Sequence, residues 1–498
     1  MTQRSIIAID QGTTSTRAIR FDAAGAVVAS AARALPQYYP QSGWVEQDPE
    51  EIWAGTLHVL RAVMDDGVAA IGIANQRETI ILWDRETGAP LANAIVWQDR
   101  RTADLCAAMR DDGAEPMIQQ KTGLLLDPYF SATKLRWLLD HVDGARHRAA
   151  RGKLAAGTVD SFLLWRLTGG RVHATDVTNA SRTMLYDIGK HCWDDTLLAL
   201  FDIPASILPT VHGNAHIFGD TDPVLTGRSL PIAGMAGDQQ AALIGQRCFA
   251  PGMVKSTYGT GCFLLANIGA DPILSFNRLL TTPAYRIGDD DAYALEGSIF
   301  VAGAAVKWLR DTLGLIASAQ DTARLAASVP DDHGVHLVPA FVGLGAPHWR
   351  SDVKAAITGM TLDTGPAHLA RAALEAAAFQ TDDLIDAMTA DGILPPSLVR
   401  IDGGMATNDW FAQCLADLIG LPVERPASHE ATAFGAALLA GLTIGLWPDR
   451  NGPATDDDTV ARFHPVIGSE ARTKRRQAWQ TAVRQVLAAP MPPSSFLI

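Results

Sequence analysis

Ile6-Ile7-Ala8-Ile9-Asp10-Gln11-Gly12-Thr13-Thr14-Ser15 joins a short apolar run to a hydroxyl-rich turn, and Ala18-Ile19-Arg20-Phe21-Asp22 then returns to strand character. The pattern predicts a β-hairpin. Asp22-Ala23-Ala24-Gly25 supplies a second turn before Ala26-Val27-Val28-Ala29, extending the hairpin to a three-stranded meander. Past the middle of the chain the device recurs: Gly252-Met253-Val254-Lys255-Ser256-Thr257 runs into Tyr258-Gly259-Thr260-Gly261, and Cys262-Phe263-Leu264-Leu265-Ala266 follows. Two halves opening on one motif indicate a structural duplication. The boundary falls near Pro251-Gly252, giving domains 1–250 and 251–498 of mixed α/β class.

Length agrees, because 498 residues exceed what one hydrophobic core organises. Hydrophobic residues make up 48% and charged residues 19%, a balance suited to well-buried cores. The formal charge of −13 opposes nucleic acid or an acidic membrane face as partner. The five cysteines are widely spaced without a CxxC pair, which favours free thiols over zinc or disulfides. MTQRSIIAID lacks the apolar stretch of a secretory signal, so a cytoplasmic location is expected. Residues 431–447, rich in Ala and Gly but interrupted by Thr432 and Thr443, read as a buried helix and not a membrane span. A helix is also expected over 366–391, with Pro in its first turn and Gly392 beyond its end.

The two Gly-Thr turns, residues 10–15 and 259–261, offer backbone N–H groups and hydroxyls that suit phosphate oxygens, although such turns also serve structure alone. Asp402-Gly403-Gly404 ends a further strand-like segment, where glycine lets a ligand approach the backbone. Asp238, after Ala233-Gly234-Met235-Ala236-Gly237, reads equally as a helix cap or as a base that takes a proton from an alcohol. Asn75-Gln76-Arg77-Glu78-Thr79 puts donors and acceptors together at a strand end, which suits neighbouring hydroxyls of an uncharged polyol as well as it suits a polar turn. Trp97, Tyr129 and Phe263 are candidates to wall such a site. Neither a GxxxxGK[ST] loop nor a protein-kinase HRD or DFG set is present.

Together these motifs resemble the glycerol kinase branch of the FGGY carbohydrate kinases, within the actin-like, hexokinase-like ATPase superfamily. The likeness runs along nearly the whole chain and includes Gly43-Trp44-Val45-Glu46, Asp127-Pro128-Tyr129-Phe130-Ser131, Thr178-Asn179-Ala180-Ser181-Arg182-Thr183, Leu295-Glu296-Gly297 and Gly343-Leu344-Gly345-Ala346-Pro347. It implies two domains, each on a mixed five-stranded sheet flanked by helices, closing on a cleft that holds ATP, Mg²⁺ and glycerol. Arg77, Glu78, Tyr129, Asp238 and Gln239 would then bind glycerol, with Trp97 and Phe263 along its carbon side and Asp238 as general base. Thr13, Thr14, Ser15, Arg17 and Thr260 would meet the phosphates, and Asp10 and Asp238 would hold the metal. Gly303, Lys307, Gly404, Met405 and Asn408 would line the adenosine end. A homodimer or homotetramer is the implied assembly. The same scaffold allows other readings: a kinase for erythritol or a pentulose, or a polyol- and nucleotide-binding regulator without turnover.

The sequence departs from the family pattern in three places. Lys307 stands where a glutamine is usual, residues 348–355 reshuffle a charged loop, and Leu362 replaces an arginine. The segment 222–228 is too short and glycine-poor for the fructose bisphosphate site of some relatives, so that regulation is not expected.

Overall fold

The computed structural model describes residues 4–350, 352–426, 430–453 and 460–488. Its first sheet grows from β1 (Ser5–Gln11), buried along its whole length. β1 pairs antiparallel with β2 (Ser15–Asp22), which pairs antiparallel with β3 (Val27–Ala34), so the expected meander forms. On its other side β1 runs parallel to β4 (Val68–Asn75). The edge strand β5 (Ala215–Asp220) pairs antiparallel with β6 (Pro231–Gly237), and β6 runs parallel to β4. The spatial order is β5-β6-β4-β1-β2-β3. β1, β4 and β6 are covered on both faces, which is why they read as apolar runs without alternation.

The second sheet repeats this plan. β7 (Val254–Tyr258) and β8 (Cys262–Gly269) form the second hairpin. β9 (Leu280–Ile287) and β10 (Asp290–Ile299) extend it on one side, while β11 (Val399–Asp402), β12 (Val423–Pro426) and β13 (Val460–Phe463) extend it on the other. The order is β9-β10-β8-β7-β11-β12-β13. Its central strands β10-β8-β7-β11-β12 carry two antiparallel and two parallel pairings in sequence, as β3-β2-β1-β4-β6 do. Each sheet is therefore the expected five-stranded mixed core with edge strands added.

Three helices position the site. α1 (Asp238–Gly245) follows β6 directly, and α2 (Pro366–Ala390) occupies the span expected from its Pro and Gly punctuation. α3 (Ala431–Thr443) is the expected buried Ala/Gly-rich helix, and it packs on β1, β4 and β6 of the first sheet as well as on α1. A Cβ on Gly435 would lie 1.8 Å from the Ala241 carbonyl oxygen, and one on Gly245 would lie 1.9 Å from that of Ala431. Glycine at both positions lets the two backbones touch. Among the described residues no helix is long and apolar enough to cross a membrane.

Candidate functional site

The register of the first sheet gathers three segments at one level. Asp10 lies beside Ala74 and Gln11 beside Asn75, while Gly237 also lies beside Asn75. Asp10, Arg77 and Asp238 therefore emerge together at the carboxyl ends of adjacent parallel strands, the edge where open α/β sheets bind ligands. Asp238 is the first residue of α1, capped by Gly237, and its Oδ1 accepts the Gln239 backbone N–H at 2.7 Å. The Gly237 N–H donates to Thr178 Oγ1 at 2.9 Å, and that hydroxyl in turn donates to buried Asp176. Asp238 keeps 29% of its side-chain surface open but lies deep in the cleft, and burial raises its carboxyl above the ordinary range against the pull of Arg77 and Lys255.

Arg77 and Glu78 occupy a dense ionic cluster. The Arg77 guanidinium meets Glu296 at 2.6 and 3.1 Å, Gln240 at 3.2 Å and Asp238 at 3.4 Å. Arg182, wholly buried, donates to Glu78 at 2.6 Å and to Glu296 at 2.9 Å, and its Nη1 has no hydrogen-bond partner among the described residues. Glu78 has φ +61°, a left-handed conformation uncommon outside glycine, and its carbonyl accepts the Ser131 hydroxyl at 2.9 Å. Strain of this kind persists where neighbours over-determine the backbone. Burial raises Glu78.

Aromatic rings wall one side. Trp97 meets Tyr129 edge-on with centroids 5.5 Å apart and Phe263 at 6.3 Å, and Arg77 lies 5.7 Å from the Phe263 centroid. Burial raises the Tyr129 phenol, which stays protonated and available as a donor. The Trp97 indole N–H donates to Thr13 Oγ1 at 2.9 Å, so the wall and the first turn are joined.

Both turns are closed by a backbone hydrogen bond, the second being one residue tighter. The Gly12 N–H reaches the Ser15 carbonyl and the Gly259 N–H reaches that of Gly261, both at 2.9 Å. Thr14 and Thr260 are exposed at their tips, with Thr13 and Ser15 half-buried. Arg17 bonds Asp10 at 2.8 Å and Glu430 at 2.9 Å, with 36% of its side chain open. Gly303 N–H donates to the Gly259 carbonyl at 3.0 Å. Gly403 has φ +90°, and a Cβ there would lie 2.5 Å from the Tyr258 carbonyl oxygen, so β11 delivers Gly404 and Met405 directly beside the second turn. Gly404 faces open space. Asn408 is committed elsewhere: its Oδ1 caps the helix Asp409–Ile419 and its Nδ2 donates to Thr322. Lys307 is exposed at the end of the helix Gly303–Lys307. In the divergent loop Trp349 donates to the Arg278 carbonyl at 2.6 Å and Arg350 pairs with Asp352, while Ser351 lies outside the described residues.

Residues 5–245 match the N-terminal domain of the FGGY family of carbohydrate kinases, and residues 254–444 match its C-terminal domain. The chain belongs to this family. Among curated FGGY kinases, it is 58% identical to the glycerol kinase of Rhodospirillum centenum, covering 96% of this chain and 97% of that one. With the glycerol kinase of Methylobacterium nodulans the identity is 56%, over 98% and 99%. A solved FGGY structure, Plasmodium falciparum glycerol kinase with ADP, superposes with a TM-score of 0.91 at 38% identity, covering 98% of this chain and 99% of that one. Xylulose kinase from Lactobacillus acidophilus reaches 0.87 at 22% identity over 98% and 99%, a likeness of fold alone.

Sequence reading assigned no role to Arg182, Glu296, Lys255 or Thr178 in this FGGY site. A signal was present: Lys255 follows the apolar Val254 and Glu296 follows Ala292-Tyr293-Ala294-Leu295, each a charge inside a strand-like segment, where burial demands a partner.

Proposed function

We propose that this chain transfers the γ-phosphoryl group of ATP to a terminal hydroxyl of glycerol, giving sn-glycerol 3-phosphate and ADP. What carries the reading is the convergence of Arg77, Glu78, Tyr129 and Asp238 beneath the Trp97–Phe263 wall, in a chain more than half identical to glycerol kinases along nearly its whole length. Arg77, Tyr129 and Gln239 supply donors and Glu78 and Asp238 acceptors, a set suited to vicinal hydroxyls, while the rings cover the carbon chain. Asp238 accepts the hydroxyl proton as the oxygen attacks phosphorus and the bond to ADP breaks. Arg17 and the turn residues Thr13, Thr14, Ser15 and Thr260 bind phosphate oxygens, and Gly303, Lys307, Gly404 and Met405 border the adenosine, with Asn408 supporting that end through its backbone because its side chain caps a helix and bonds Thr322.

The donor set also fits Mg²⁺. Asp10 and Asp238 offer hard carboxylate oxygens at adjacent strand ends, and would hold magnesium, which is commonly bound by one or two carboxylates together with substrate phosphates. When bound, the ion offsets phosphate charge. A cytoplasmic location and a homodimeric or homotetrameric assembly complete the proposal, the former supported by five free cysteines.

Coupled measurement of ADP release on a panel of glycerol, erythritol and pentuloses tests the reading. Glycerol is expected to be turned over best, with glycerol phosphate as product. Preference for another polyol or a ketose overturns the substrate, and nucleotide binding without any product overturns catalysis.

A further inference from the structure

Lys255, on β7 between Val254 and Ser256, is wholly buried. An ammonium has three N–H donors and no acceptor. Three oxygens meet it: Gln239 Oε1 at 2.6 Å, Thr257 Oγ1 at 2.9 Å and the Phe263 carbonyl at 3.5 Å. Because the ammonium only donates, the Gln239 atom facing it is the oxygen, and the orientation of that carboxamide is fixed by chemistry. Its NH2 group is thereby turned away from Lys255 and left as the free end of the side chain. Gln239 follows Asp238 in the first turn of α1, on the first sheet, whereas Lys255 belongs to the second. Burial lowers the amine from its ordinary value, Asp402, Asp238 and Glu296 act to keep it protonated, and Arg77 opposes them.

We infer that Lys255 is a positioning residue for the acceptor alcohol: by gripping Gln239 Oε1 across the two halves, it aims the carboxamide NH2 at a polyol hydroxyl beside Asp238. The inference rests on the proposed phosphorylation of glycerol. An uncharged methionine of similar length would fill the space but release the carboxamide to rotate, so the loss falls on the alcohol and not on the nucleotide.

Steady-state kinetics of the full chain, varying glycerol and ATP in turn, test this on Lys255→Met, Gln239→Ala and the double variant. Lys255→Met is expected to raise the glycerol KM roughly three- to ten-fold, the range for losing the neutral hydrogen bond from the carboxamide to a hydroxyl, with the ATP KM within about two-fold of wild type. The double variant is expected to be no worse than Gln239→Ala. An unchanged glycerol KM, equal rises in both KM values, or additive losses overturn the inference. If Lys255→Met does not fold, Gln239→Glu decides: its carboxylate keeps the lysine's partner but has no NH2 to donate. The glycerol KM must then rise by the same order at an unchanged thermal midpoint, and an unchanged KM overturns the inference. A wild-type chain that ignores glycerol but phosphorylates another polyol refutes the substrate reading alone, and the same variants are then read on that polyol.

Discussion

Arg77 and Glu296 form a two-pronged ion pair, at 2.6 and 3.1 Å, between the polar segment after β4 in the first half and β10 in the second. Arg182 bonds the same carboxylate and also Glu78, so two buried Arg side chains share Glu296. Burial alone would raise Glu296, yet the two guanidinium groups bring it down from 4.5 to about 2. Removing one member of a buried pair leaves charge uncompensated and typically costs about 3–5 kcal/mol. Glu296→Gln should therefore lower the thermal midpoint at pH 7. The folded pKa is depressed, so the carboxylate's contribution is full above 4.5 and fades as pH falls toward about 2. The gap between wild type and variant should narrow over that window in pH-dependent melts, and a pH-independent gap would count against this pairing.

Asp238 titrates in the opposite sense. Burial raises its carboxyl above 3.8, with Arg77 and Lys255 opposing, and only the ionised form accepts a proton. The kcat/KM for glycerol should fall as pH drops through that raised value. Asp238→Asn should reduce kcat about 100- to 10,000-fold while nucleotide binding by calorimetry stays near wild type. Turnover close to wild type would remove Asp238 as the base.

The hairpin turns were readable because their signals are local: an apolar run, a Gly-Thr turn and a second run lie within about fifteen residues. Asp10, Arg77 and Asp238 were readable as polar residues at strand ends, but which ends meet depends on the order β6-β4-β1, and spacing does not encode that order. The charges on Lys255 and Glu296 announced that partners exist, yet Arg77 lies 219 residues from Glu296. The Ala and Gly of α3 likewise announced close packing without naming the surface. That surface is the first sheet, although α3 follows β12 of the second.

Trp97 is both wall and brace. Its ring faces Tyr129 and Phe263 while its indole N–H holds Thr13 Oγ1 at 2.9 Å. Trp97→Phe keeps an aromatic surface and deletes that donor, a loss of about 1 kcal/mol for an ordinary hydrogen bond. The KM values for glycerol and ATP should both rise by a few-fold. A change confined to glycerol would show that the brace does not reach the phosphate turn.

Gly435 tests whether α3 helps to place the base. A methyl group there would lie 1.8 Å from the Ala241 carbonyl oxygen, inside α1, and neither helix backbone can yield without moving the other. Overpacking a well-packed core commonly costs about 1–3 kcal/mol, and a backbone-to-backbone contact belongs at the upper end. α1 begins at Asp238, whose orientation rests on the Gly237 hydrogen bond to Thr178 and on contact with Arg77. Displacing α1 should tilt that carboxylate away from its partners. Gly435→Ala is accordingly expected to lower the thermal midpoint by several degrees and to reduce kcat by more than it raises the ATP KM, because the phosphate turns lie on other strands. Nucleotide affinity measured by calorimetry separates the two effects. A destabilised variant with full kcat would mean that the helix crossing supports the fold without steering Asp238.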